Sequence, residues 1–208
     1  MAKTMTPSDK PITKGQIGKF YEAFADALAK SGLRSEPTQL VLATHGADLA
    51  KQFVALVRKH VDAISNMIFR TVTVNRTRSP QQVLDATGRT QCTDKEVVAS
   101  MPKGEAEEEP FFFKPRPEAY RDGLISDEAL KREFDFLNLE PASPCSLAKA
   151  NQDDPAFADE HPNGTHWKDA QGNWCFAAFY GWDGKRRVDV NRHALDWRAD
   201  WWFAGVRK

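Results

Sequence analysis

Apolar positions recur at intervals of three and four through the first third of the chain. Ile17, Phe20, Phe24 and Leu28, with Tyr21 beside them, predict a helix over 15–30. Gly32 follows where a C-terminal cap belongs. Ser35 and Pro37 suit the start of a short second helix over 36–44, which His45 and Gly46 end. Leu49, Phe53, Leu56, Val57, Val61 and Ile64 make one stripe of a third and longest helix over 47–67, with His60 inside or beside it. Residues 14–67 thus read as a helical hairpin or three-helix segment behind a polar, flexible tail, 1–13. The stripe of the 47–67 helix either completes a small bundle or serves a protein partner or self-association.

Beyond 67 the period changes. Residues 69–75 alternate and are β-branched, as in a strand. Ser79-Pro80 opens a short helix that Gly88 closes, and Thr93 to Glu96 form a capping box for another. Phe111 to Lys114 read as a buried strand ended by Pro115. Ser126 caps a further helix whose first turn carries Asp127 and Glu128. One or two helical turns follow over 143–150, and 153–158 is irregular. The chain closes on a Trp-rich β-meander holding all six tryptophans between Trp167 and Trp202. Its strands are 165–168, 174–182, 186–191 and 201–206, with a turn at 169–173 and a hairpin signal at Asp183-Gly184. Strand 174–182 is apolar on both faces, the mark of a central strand covered on both sides. The fold class is α+β, with 68–208 as a mixed domain ending in an antiparallel sheet.

The chain is 41% apolar and 28% charged, with zero net charge, values of a soluble globular protein. The charge is uneven: residues 1–100 carry +5, 101–160 carry −8 and 161–208 carry +3. The N-terminus shows no apolar stretch of a secretory signal, and no apolar run approaches the roughly 20 residues of a membrane helix. Cys92, Cys145 and Cys175 are odd in number and widely spaced, which argues for a reducing compartment. The expectation is a cytoplasmic protein with no membrane association.

Candidate chemistry is sparse. His161 and His166, with Asp159, Glu160 and Cys175, are the densest set of proton carriers, but His161-x4-His166 is no recognised metal spacing. No metal and no cofactor is expected: phosphate-binding glycine loops and nucleophile elbows are absent. Trp167 with Trp174 and Phe176 has the spacing of an aromatic cage for a quaternary amine, or of a rim platform for a partner. Arg76, Arg78, Arg89, Lys185, Arg186, Arg187 and Arg192-His193 could build a basic surface for single-stranded nucleic acid.

The runs Asp159-Glu160-His161-Pro162-Asn163-Gly164-Thr165-His166-Trp167, Trp174 to Tyr180 and Trp201 to Gly205, with Asn75 to Pro80 and Leu84 to Arg89, resemble an uncharacterised family of small bacterial proteins. The resemblance covers about 64–206 and implies a bacterial cytoplasmic protein; it implies no activity. The reading that follows is a non-enzymatic binding or interaction protein. The alternatives are a nucleic-acid-associated protein using arginine, lysine and aromatic residues, and a small hydrolase or metal enzyme centred on His161 and His166.

Overall fold

The computed structural model describes residues 3–4, 11–192 and 196–208. The chain divides into two compact units, one of residues 6–62 and one of 63–208 together with 1–5. Of the tail expected over 1–13, residues 1–2 and 5–10 lie outside the described residues. Lys3–Thr4 form strand β1, paired antiparallel with a strand of the larger unit.

The smaller unit is a helical hairpin. Helix α1 (Lys14–Lys30) opens on a capping box between Thr13 and Gln16. Helix α2 (Ser35–Ser65) runs without a break where two helices were expected. Gly46 costs a helix about 1 kcal/mol relative to alanine but does not forbid helical backbone. No proline follows Pro37 in the helix, and the apolar stripe passes Gly46 in phase. Phe53 of α2 meets Phe20 and Phe24 of α1 at ring centroid distances of 6.1 and 5.6 Å. One 18-residue window of α2 has a mean hydropathy of 1.3, long and apolar enough to cross a membrane by length and composition. The window meets that measure only by including charged residues such as Asp48 and Lys51, which break every uninterrupted apolar run.

The larger unit begins with β2 (Ile68–Phe69) and β3 (Val72–Thr73), two short strands where one was expected. They part because they pair into different sheets. Helix α3 (Pro80–Asp85) carries the expected Ser79 cap. Strand β4 (Thr90–Thr93), not foreseen, leads into α4 (Lys95–Ala99). The cap of α4 is Asp94 rather than Thr93, its Oδ1 accepting from the N–H groups of Glu96 and Val97 at 2.8 and 3.3 Å. Then come β5 (Glu107–Glu108), β6 (Phe111–Phe113), β7 (Leu124–Ile125) and α5 (Asp127–Phe136) with its Ser126 cap. Strand β8 (Leu139–Pro141), α6 (Pro144–Asp153) and α7 (Phe157–Glu160) follow, the last beginning inside the stretch 153–158 expected to be irregular.

The final strands are β9 (Asn163–Lys168), β10 (Trp174–Trp182), β11 (Lys185–Arg192), β12 (Trp197–Arg198) and β13 (Trp202–Arg207). Strands β9, β10 and β11 form the expected antiparallel run. The turn between β10 and β11 holds both central residues at positive φ, Asp183 at 52° and Gly184 at 66°, as a two-residue hairpin of primed type requires. The closing strand does not extend the meander. Strand β13 returns to lie parallel to β9 and antiparallel to β6 and β8, while β11 pairs in parallel with β4. The result is one mixed nine-stranded sheet.

Its two faces bury separate cores. On the first, Phe112, Cys175, Ala177, Phe179, Val188 and Val190 pack with side chains of α3, α4, α6 and α7. On the second, Phe111, Phe113, Ala178 and Phe203 pack against Leu130 and Phe134 of α5 and Trp197 of β12. This second face is covered over its middle and left open at the far ends of β10 and β11. Tyr180 is half-buried there and Trp182 is 63% exposed, so the expectation of a strand covered on both sides fails at that end.

Trp197 closes the covered part by lying on Gly164, where an added Cβ would stand 2.8 Å from its ring. Its indole N–H donates to Asp127 Oδ1 at 3.2 Å. Gly164→Ala should therefore lower unfolding stability by about 1–3 kcal/mol through overpacking. Asp127→Ala strips buried donors of their acceptor and should cost at least as much, at about 1–3 kcal/mol for each group left unpaired. Urea unfolding followed by tryptophan fluorescence measures both.

Candidate ligand-binding cleft

Alternation along paired strands decides which side chains share the open end of the second face. Tyr180 stands opposite Arg187, Ala178 opposite Asp189 and Phe176 opposite Asn191 in the β10–β11 register. Residues directly opposite in an antiparallel pair project to the same side. These six form the floor of a cleft of about 1190 Å³. Asp196, Arg198, Asp200 and Trp201 wall one side, and Trp182 stands at the rim. Trp201 meets Tyr180 edge to face at 5.7 Å and Trp197 at 5.4 Å, which fixes an aromatic corner.

The polar groups of the floor are partly satisfied. The Tyr180 hydroxyl donates to Asp189 Oδ2 at 2.9 Å. Asp189 Oδ1 and Arg187 Nε are buried and have no hydrogen-bond partner. Burial pushes the Tyr180 phenol up to about 12, and its bond to Asp189 adds to the shift. Burial also raises Asp189 above its usual 3.8, against the pull of Tyr180 and Arg187. Two other guanidiniums of the lining are engaged: Arg192 with Asp94, Glu96 and Asp169, and Arg198 with Asp200 at 2.7 Å. The described lining holds five carboxylates, Asp127, Glu128, Asp189, Asp196 and Asp200, against these three arginines, so it favours a ligand without negative charge.

The sequence candidates disperse. His166 lies fully enclosed, its Nδ1 2.7 Å from Asp127 Oδ1 and its ring stacked on Trp174 at 4.5 Å. His166 Nε2 is buried without a partner. His161 sits apart against Phe157 and Trp202, its pKa lowered by burial, with Glu160 4.0 Å away. The two histidines share no partner. Arg186 donates from Nη2 and Nε to Asp159 Oδ2 at 2.7 and 2.9 Å, which occupies both residues. Trp167 packs against the first core and its N–H reaches Ser100 Oγ at 3.4 Å, so it forms no cage with Trp174.

The basic surface also comes apart. Arg76 pairs with Glu105 at 3.4 Å. Arg78 borders a small hollow near Cys145. Arg89 is buried and donates to the Pro155 carbonyl at 2.8 Å. Lys185 is exposed beyond the floor, and Arg187 alone of the 185–187 run enters the cleft. His193 lies outside the described residues. Among the described residues no three His, Cys, Asp or Glu side chains are placed to hold a metal ion. Sequence reasoning missed Asp189, Asn191 and Trp201 as a constellation. The signal available was the period-two alternation of β11, which sends Arg187, Asp189 and Asn191 to one side.

Tyr120, buried near Glu133 and Asp200, also rises to about 12. Ultraviolet titration should therefore show two tyrosines ionising near pH 12 rather than near 10, and Tyr180→Phe should remove one. Both folded-state values exceed the ordinary 10, so the stability they contribute is whole below pH 10 and is lost between pH 10 and 12. The thiols make a second check on burial. Cys92 is exposed while Cys145 and Cys175 are buried, so a thiol reagent should label one cysteine in the native protein and three in denaturant.

The chain matches no protein-family model, no curated protein and no solved structure.

Proposed function

We propose that the protein is a non-enzymatic binding protein whose sheet-face cleft takes an uncharged, hydroxylated ligand with an apolar ring face, a saccharide or cyclic polyol. One observation carries the reading: a buried acceptor, Asp189 Oδ1, and a buried donor, Arg187 Nε, stand unpaired on the floor of an aromatic-walled cleft. Buried polar groups in folded proteins are matched by protein, water or ligand. A hydroxyl donates and accepts, so a polyhydroxyl ligand satisfies both groups. An ammonium could serve only the carboxylate, and a phosphate only the guanidinium. Tyr180, Trp201 and Trp182 supply the flat surfaces on which the C–H face of a sugar ring packs. The surplus of carboxylates weighs against a nucleic-acid backbone in this cleft. The enclosure of His166 and its separation from His161 leave a hydrolytic centre there with less support.

Titration with maltotriose and chitotriose, beside choline and adenosine monophosphate, followed by tryptophan fluorescence and calorimetry, tests the proposal. A saturable response to a neutral trisaccharide is expected. Asp189→Ala and Trp182→Ala should each weaken it about tenfold, the equivalent of ~1.4 kcal/mol. Binding of choline or the nucleotide with no response to either saccharide would sink it.

A further inference from the structure

The helical hairpin leaves its apolar surface wet. No residue of α1 or α2 is buried. On α1, Ile17, Phe20, Phe24 and Leu28 are all exposed. On α2, Leu42, Leu49 and Leu56 recur at intervals of seven, with Leu40, Val54 and Val61 in a second exposed row about 140° round the helix. At 100° per residue the apolar positions of α1 span roughly 100° of arc and those of α2, Val41 aside, roughly 200°. A two-stranded pair needs only a narrow seam, and Phe53 with Phe20 and Phe24 supplies it. The rest of the α2 arc is of the breadth that a helix buries when it has two neighbours.

We infer that the hairpin docks on a second copy of this chain, forming an intermolecular four-helix bundle. Three observations select this occupant. The first is area. Thirteen large apolar side chains of the two helices stand 39–66% exposed. With full areas of ~150–250 Å² for the largest of them, they present on the order of 1,000 Å² per copy. A stable interface needs about 800 Å² per partner. The second is shape. The hairpin supplies two helices of a bundle and lacks two of the same character, which a two-fold related copy provides with self-complementary faces. The third is charge. Residues 14–65 carry seven basic and five acidic side chains, so two copies repel little and anionic lipid gains little. Across a bilayer, α2 would draw Asp48 and Lys51, bridged at 3.4 Å and both well exposed, out of water.

Light scattering on the full-length protein after gel filtration reads the mass, and flotation with phosphatidylcholine and phosphatidylglycerol vesicles reads membrane binding. The expected mass is twice the 23.4 kDa chain, with no flotation. The double variant Leu49→Glu/Leu56→Glu should be monomeric while its near-ultraviolet tryptophan dichroism is unchanged. Should that variant lose its dichroism, Val54→Asn gives a milder reading, a rise of at least tenfold in the dimer dissociation constant. A monomeric wild type, a wild type that floats with vesicles, or a dimer untouched by Val54→Asn would each overturn the inference. None of these readouts involves the cleft.

Discussion

Asp127 is a buried carboxylate placed where three elements meet. It opens α5, where the helix dipole favours a negative charge. It lies 2.7 Å from His166 Nδ1 on β9 and accepts the Trp197 N–H from β12. An unpaired charge at such depth is costly, so the carboxylate, imidazole and indole hold one another in register. The consequence reaches the cleft. Trp197 packs closely on Gly164 while its N–H is held by Asp127, and Trp201 meets Trp197 edge to face. The wall formed by residues 196–201 is thus positioned by a network that is itself closed to solvent.

The sheet divides its labour by face, and the division follows from alternation alone. Every second residue of β10 and β11, from Cys175 to Phe179 and at Val188 and Val190, is small or aliphatic or buried aromatic, and helices cover it. The intervening residues are large aromatics and hydrogen-bonding groups, and α5 covers only those nearest β9 and β13. At the covered end Glu128 accepts the Trp174 N–H at 2.9 Å, and the unpaired His166 Nε2 is enclosed by protein. At the open end the unpaired Asp189 Oδ1 and Arg187 Nε belong to residues that line the cleft.

Local features of this fold were legible in the sequence, and long-range ones were not. Ser79, Ser126 and Ser143 cap helices because a hydroxyl reaches N–H groups two or three residues ahead, a relation that the sequence displays. Strand β10 emerged with its ends correct, since its alternation and the Asp183-Gly184 turn are local. Strands β7 and β12, two residues each, pair with each other across 72–74 positions. The return of β13 beside β9 likewise depends on pairing that no neighbouring residue specifies. The site behaves in the same way. Arg186 and Arg187 look alike in sequence, yet the pleat sends one to Asp159 and the other into the cleft. His166 stands near Asp159 and Glu160 in the sequence, but its partner Asp127 lies 39 residues away.

The tryptophans carry this distinction furthest. A buried indole needs an acceptor for its N–H, and the acceptor decides whether the ring is structural. Trp167, Trp174 and Trp197 give theirs to Ser100, Glu128 and Asp127, and all three help to join the sheet to what covers it. Trp182 and Trp201 have no such acceptor among the described residues, and both face the cleft. Their N–H groups remain free to donate, and their rings remain free to stack. Their placement beside an unsatisfied carboxylate and guanidinium gives the open end of the sheet the combination of flat apolar surface and unspent hydrogen bonds on which ring-shaped polar ligands are held.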